Sequence, residues 1–495
     1  MTSSKTIAKN TFVMLASEGI SLLLSFLFIV ALAQYLGVKN YGVYTFAFAF
    51  VALFRTFFDF GLNTLIIREA ARYQAKTQYY LANAFAIEVL AGVILVVVIP
   101  GVAYLAGYPP ETVFIVWIVA VIAAFDTFSG LNFALFKAFE IREYEAYTKI
   151  AGKLIFIGLG FAGIWLGFDL PQIVTLFIAS SAIMFLVSYA FIHRRICPLT
   201  LSLMPGHWAS LMKSAFPFAL SILLIEIYFN IDMTMLSYLQ GDVSVGLYSA
   251  AYRFITIFLI VPAAFTLSIF PVYSRLFEHA GDGLHTAFHK SVEYLIIVGI
   301  PISIGITIIA DNIILAFFGA MYTDSIIALQ ILIWVIIFLF VNYTCNSILQ
   351  SILKPNLCIS SLIMCAVFNV GLNAVLIPVY SFKGAAFATV ATEILLLSLY
   401  IYHLKNNGIR LHLFKSLSTP LLAALLMAVG IGVVKLLMAA YPDIIQILVI
   451  IPVGMLIYML SLIKIRKFDR DDIEILKGII GHEKFSRISF LIKER

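Results

Sequence analysis

The chain has 495 residues, of which 62% are hydrophobic and 12% are charged, at a mean hydropathy of +1.04. A soluble domain carries about 25% charged residues, so this composition excludes a fold whose whole surface meets water. The formal charge of +6 lies in short loops between apolar runs and in a basic tail at 464–495, with no basic-aromatic groove for nucleic acid; basic residues beside apolar spans act as topology determinants.

A helix crossing a ~30 Å hydrocarbon core needs about 20 mostly apolar residues. Scanned in chain order, such runs fall at 11–35, 43–66, 81–105, 112–136, 149–166, 172–192, 214–239 and 247–272. They continue at 291–310, 327–350, 357–377, 384–403, 417–439 and 443–463. The reading is an all-α integral membrane protein of about 14 transmembrane helices. With Met1 cytoplasmic, the outward loops carry only Lys39 and Lys383, and Arg55, Arg253 and Lys435 lie inside spans. Every other Lys and Arg falls on inward segments, so both termini are expected in the cytoplasm of a multi-pass cell-membrane protein. The tail at 464–495 reads as a surface-lying amphipathic helix.

Two stretches echo each other. Tyr41-Gly42-Val43-Tyr44 opens the second span, and Val245-Gly246-Leu247-Tyr248 opens the eighth. The echo predicts two pseudo-symmetric six-helix lobes, 1–213 and 214–415, around a central cavity, followed by two further spans at 416–463. Paired repeats around a site are a common transporter plan.

Charge inside a bilayer costs roughly 2.5–3.5 kcal/mol per residue at the centre, so intramembrane ionisable residues mark the candidate site. Glu18 lies in span 1, Arg55 and Asp59 in span 2, Glu226 and Asp232 in span 7, and Arg253 in span 8. Helical spacing sets Ser21 and Ser25 on one stripe beside Glu18, and stacks Arg55, Asp59 and Asn63 at successive i+4 positions. Glu226, with no cation evident at its depth, is expected to bind a proton or cation; Asp232 and Glu18 are further candidates for coupling or gating. Glu88, Asp126 and Glu393 read as helix-contact residues, and Lys435 as a snorkelling one.

Other patterns fall away. Gly158-Leu159-Gly160-Phe161-Ala162-Gly163 matches GxGxxG without a preceding strand, so Gly163 and Gly167 read as small residues for close helix packing. Asn342-Tyr343-Thr344 is a sequon buried in a span. The four cysteines show neither disulfide nor metal spacing, and neither a cofactor nor a metal site is expected. No P-loop exists, and the longest outward loop, about 311–325, is too short for a catalytic domain. The chain therefore reads as a transporter rather than an enzyme.

A set of motifs carries a resemblance. Leu36-Gly37-Val38-Lys39-Asn40-Tyr41-Gly42-Val43-Tyr44 is followed by Asp59-Phe60-Gly61-Leu62, Arg68 and Glu69. Later come Phe216-Pro217, Asp232 and Gly246-Leu247-Tyr248-Ser249-Ala250-Ala251-Tyr252-Arg253. Asn369, Asn373, Ile377-Pro378, Lys383-Gly384-Ala385-Ala386 and Thr392-Glu393 complete the set, with Ser381-Phe382 where a glycine is common. In this order they resemble polysaccharide and lipid-linked oligosaccharide flippases of the multidrug/oligosaccharidyl-lipid/polysaccharide exporter superfamily. The resemblance implies alternating access and a polyprenyl-phosphate- or polyprenyl-diphosphate-linked oligosaccharide, moved from the inner to the outer leaflet. It places Arg55 and Arg253 on the phosphate and Asp59, Asn63, Ser21 and Ser25 along the substrate path. Implied partners are the lipid-linked oligosaccharide, membrane lipids, a coupling ion (H+ or Na+) and glycan-assembly enzymes. A drug/cation antiporter of the same superfamily is the nearest alternative, and a membrane glycan polymerase or ligase a more distant one.

Overall fold

The computed structural model describes residues 4–196, 198, 205–278, 283–409, 411, 413–468 and 493–494, with side chains described from Gly19 onward in the first helix. It is helical nearly throughout. Helix α1 (Ser4–Asp59) is followed by α2 (Leu62–Arg72), α3 (Thr77–Leu105), α4 (Pro110–Ala138), α5 (Arg142–Trp165) and α6 (Leu170–Arg195). The chain continues through α7 (Pro205–Gln240), α8 (Asp242–Phe258), α9 (Ile260–Glu278), α10 (Gly283–Phe318), α11 (Ser325–Leu332) and α12 (Val335–Ser351). It closes with α13 (Pro355–Asn406), α14 (Leu413–Leu437) and α15 (Asp443–Ile465). Most of the tail at 464–495 lies outside the described residues; Lys467–Phe468 and Lys493–Glu494 form a two-residue parallel pairing at its edges.

Among the described residues, 12 helical stretches are long and apolar enough to cross a membrane. Two of them, Gly19–Arg72 and Pro355–Asn406, run 54 and 52 residues. At 1.5 Å per residue each is more than twice the ~30 Å hydrocarbon core. Each also breaks within. Gly37 leaves helical geometry at φ 71° in α1, and Ser381 does so at φ 52° in α13.

Local sequence explains three of the other boundaries. Pro110 and Pro355 stand at the first turns of α4 and α13, where the missing N–H costs nothing. Asp169 caps α6 reciprocally: its Oδ1 accepts from the Gln172 amide at 3.0 Å, while Gln172 Oε1 accepts from the Asp169 amide at 3.0 Å. Gly163 packs against Ile173 of α6 as expected. Gly167 does not: it has open space around it and a φ of +73°, making it the turn residue after α5.

The described residues form two units: 1–253 with 362–388, and 254–361 with 389 onward. In the first unit, α4 packs against α1, α2, α3 and α6, while α1 also meets α5 and α7. This unit holds a core of Leu65, Ile66, Leu81, Leu135, Ile192 and Ala215. In the second unit α10 is central, packed against α12, α14 and α15.

The two echoed segments meet inside the first unit. A Cβ on Gly42 would collide with the backbone carbonyl of Asp242, and one on Gly246 would collide with that of Val38. Each repeat thus needs its glycine so that the other's backbone can come close. The same α7–α8 turn reaches the break in α13. Gln240 Nε2 donates to Pro378 O at 3.4 Å, and the Ser244 and Ser381 hydroxyls lie 3.0 Å apart.

Candidate functional site: a charged cluster on α1, α4, α5, α7 and α8

The sequence-predicted residues do not form one stripe. Helix α1 ends at Asp59, and Phe60 and Gly61 adopt φ 53° and 76°, turning the chain before α2. The stack of Arg55, Asp59 and Asn63 is broken there, because a left-handed corner interrupts the helical register. Gly61 has no Cβ to spare: one placed there would press on Ala215 O and Ala219 N of α7 at 2.7 Å.

The three residues have different surroundings. Asp59 is buried, and its Oδ1 accepts the backbone N–H of Asn63 at 2.9 Å, which makes it the anchor of the corner. Asn63 packs onto Gly130 of α4. Arg55 stays open, its side chain 68% exposed, with Nη1 3.6 Å from Glu226 Oε1. An open guanidinium at membrane depth needs water or an anionic group around it.

Glu226 is therefore not the lone carboxylate that the sequence suggested. Besides Arg55, its Oε2 accepts from Asn230 Nδ2 at 2.9 Å, one helical turn on. Asp232 sits apart from this pair. It is buried and accepts from Tyr248 Oη at 3.0 Å and from Asn373 Nδ2 at 2.6 Å; Asn373 also donates to Asn369 Oδ1 at 3.0 Å. Arg253 lies beside the buried hydroxyls of Tyr41 and Tyr44. Ser25 spends its hydroxyl on the Ser21 carbonyl within α1. Glu18 lies on α1 outside the residues whose side chains are described.

Two members of the cluster escaped the sequence reading. Lys153 counts among the basic residues at the inward end of the run 149–166, yet α5 starts at Arg142 and carries it well into the helix. Its Nζ lies over the Phe156 ring at 5.3 Å, and its charge faces Arg253 and Asp126. Asp126, read as a helix-contact residue, is exposed on α4, hydrogen-bonds Ser181 of α6, and lies within the fields of Arg55 and Lys153. The signal available was spacing. Lys149, which pairs with Glu145 at 2.6 Å, and Lys153 are one turn apart on a continuous helix. Arg55 meets Glu226 at 3.6 Å and lies within the fields of Asp59 and Asp126, while Lys153 lies within those of Asp126 and Arg253.

The second unit holds its polar groups differently. Glu393, expected to be a helix-contact residue, accepts from Asn342 Nδ2 at 2.7 Å through Oε2. Lys435, expected to snorkel, carries its Nζ to Asp311 Oδ1 at 2.6 Å and Ile308 O at 2.8 Å. Asn312 Nδ2 donates to Asp443 Oδ1 at 2.7 Å, and Arg466 Nη2 lies 2.9 Å from Glu293 Oε1.

Comparison with known proteins places this architecture. The polysaccharide biosynthesis protein family model matches residues 7–277, and the MatE model matches residues 217–375. A probable low-salt glycan biosynthesis flippase, Agl15 of Haloferax volcanii, is 26% identical over 163 residues. That match spans about a third of each protein, 33% of this chain and 34% of the relative. Among solved structures, the lipid II flippase MurJ in an inward closed conformation superposes with a TM-score of 0.77 at 18% identity, covering 91% of this chain and 98% of that one. An inward-facing multidrug resistance MATE family transporter of the MOP superfamily gives a TM-score of 0.63 at 16% identity, covering 78% and 94%. The fold is the one those transporters share, and with its family model matching more than half of its length, the chain belongs to the polysaccharide biosynthesis protein family.

Proposed function

We propose that this multi-pass membrane protein moves a polyprenyl-phosphate- or polyprenyl-diphosphate-linked oligosaccharide from the inner to the outer leaflet by alternating access. The observation that carries the reading is Arg55: a guanidinium 68% exposed on a membrane helix, with Lys153 and Arg253 in the same cluster. Three cations gather there among the carboxylates Asp59, Asp126 and Glu226, and phosphate is the ligand that a low-dielectric site with fixed cations stabilises most. Glu226 and Asp126 then act as counter-ions that keep the cations soluble until the phosphate arrives, and Asp232 is the carboxylate available for ion coupling. The flippase names of the Haloferax relative and of the MurJ structure support the same reading.

Fourteen crossings belong to this proposal, with α1 and α13 each crossing twice through their breaks at Gly37 and Ser381. Lobes at 1–213 and 214–415, a cell-membrane location and cytoplasmic termini complete it. A drug/cation antiporter is the second reading, favoured by the MatE match over residues 217–375; an exposed arginine would repel its cationic substrate.

The test is translocation of a fluorescent lipid-linked oligosaccharide in proteoliposomes. Wild-type protein should move it, and Arg55→Ala and Arg253→Ala should each slow it. Wild-type rates in both variants would remove the phosphate assignment. Movement of organic cations but not of the glycolipid would favour the antiporter.

A further inference from the structure

Asn230 stands beside the charged cluster with a role still open. It lies on α7 one helical turn after Glu226 and is half-buried. Its Nδ2 donates twice to that one residue, to the Glu226 backbone carbonyl at 3.1 Å and to Glu226 Oε2 at 2.9 Å. Both partners are acceptors, so the amide can present only its nitrogen to them. The result is a two-point grip on a single carboxylate.

The second unit contains the same grip in another setting. Asn342 of α12 donates to the Glu393 carbonyl at 3.1 Å and to Glu393 Oε2 at 2.7 Å, on α13. That grip joins two helices and resists their separation. Asn230 and Glu226 belong to one helix, so theirs fastens nothing to α7. What it fixes is the direction of the carboxylate. With Oε2 held along α7, Oε1 is the oxygen left for Arg55 of α1, at 3.6 Å. A guanidinium facing an unrestrained carboxylate closes to hydrogen bonds of about 2.7–2.9 Å, often two in parallel. Arg68 with Glu69 and Arg466 with Glu293 reach 2.8 and 2.9 Å. Arg55 does not, although α1 and α7 pack against each other.

We infer that Asn230 is a positioning residue, which holds the Glu226 carboxylate back so that Arg55 stays free to take an anionic group. For the identity of that group, a phosphate of the lipid-linked glycan, the inference rests on the transport reading above. At 3.6 Å Glu226 still offsets the charge of the arginine within the membrane. It does not fill the N–H donors that a phosphate uses. Without the amide, Glu226 turns onto Arg55, closes the pair, and competes with the substrate for the same fork of donors.

Two readouts test this, and the first needs no glycolipid. The full chain in lipid vesicles is treated with phenylglyoxal, which reacts fastest with guanidinium groups that no carboxylate engages, and Arg55 modification is followed by peptide-resolved mass spectrometry. Asn230→Leu should slow modification of Arg55 by about tenfold, the equivalent of one charge-assisted hydrogen bond at the low end of its range. In a Glu226→Gln background the same substitution should change nothing, because no carboxylate remains to close the pair. Glycolipid translocation should follow the same pattern, lower in Asn230→Leu than in wild type, and equal in Glu226→Gln with and without it. A general disturbance of α7 would slow both backgrounds alike. Equal Arg55 reactivity in wild type and Asn230→Leu would overturn the inference, as would slowing that persists in the Glu226→Gln background. Should Asn230→Leu fail to fold, Asn230→Ala carries the same comparison. If the wild type moves no glycolipid, the transport reading fails, and Arg55 reactivity still decides the role of Asn230.

Discussion

The two units differ in how some of their charged groups are held, although Asp232 in the first is gripped as closely as any in the second. In the second, Asn342 closes on Glu393, Asn312 on Asp443, Lys435 on Asp311 and Arg466 on Glu293, all within 3 Å. In the first, the Arg55–Glu226 pair is loose at 3.6 Å, Arg55 is open, and Glu88 has no partner among the described residues. Tight, reciprocal pairs fasten helices. A loose pair with an open cation leaves binding capacity in reserve, because a charge already satisfied at short range gains little from a ligand. On the proposed function, the difference separates a part of the bundle that holds from a part suited to binding substrate.

The largest effect expected from this contrast is on transport. Arg55→Ala combined with Lys153→Ala should lower glycolipid translocation by about 100-fold or more, since each of the two lost charge-assisted contacts is worth roughly 1.5–3 kcal/mol. Thermal unfolding should change little, because Arg55 is mostly exposed and its ion pair is loose. A fall in unfolding temperature with normal transport per folded molecule would invert the assignment.

Next in size is the meeting of the two repeats. Gly42→Val should cost at least about 1–3 kcal/mol, the range of overpacking, because its side chain would strike the Asp242 backbone. Gly101→Val, at a helical glycine with open space around it, serves as the control and should cost less. Equal unfolding temperatures for the two variants would deny that the contact between repeats is tight.

The second unit sharpens the comparison from the other side. Asn342→Leu removes the partner of Glu393 and should cost about 0.6–1.7 kcal/mol, the range for interhelical hydrogen bonds in membranes. Translocation per folded molecule should stay at the wild-type level. A specific transport defect would move this pair out of the fastening class.

The smallest effect concerns the break in α13. Ser381 holds φ 52° and ψ −137°, where glycine is at ease and serine is strained. Ser381→Gly should relieve roughly 1 kcal/mol of strain and lose the contact with the Ser244 hydroxyl. The net change in unfolding temperature should be near zero. A large loss would show that the hydroxyl pair, rather than the backbone, sets the break.

Much of the molecule was written locally. Apolar run length marked the membrane helices, because bilayer insertion sums residue by residue along one segment. The echo of Tyr41–Tyr44 by Val245–Tyr248 pointed to related segments, and the GxGxxG stretch was correctly read as helix. Ser381 stood out in the sequence as a departure before its strained backbone was visible. The cost of charge in lipid singled out Arg55, Glu226 and Arg253 as candidates.

Partnership was not written locally. Only the tertiary structure set Glu226 against Arg55, moved Asp232 to Tyr248 and Asn373, drew Lys153 and Asp126 toward the cluster, and left Glu88 without a hydrogen bond. The reason is geometric. A helical wheel assumes an unbroken register, and the positive φ angles at Phe60 and Gly61 end it in the middle of the predicted stripe. Hydropathy depends on one residue and its depth, whereas an ion pair depends on two helices far apart in sequence, whose approach the packing of all the others decides.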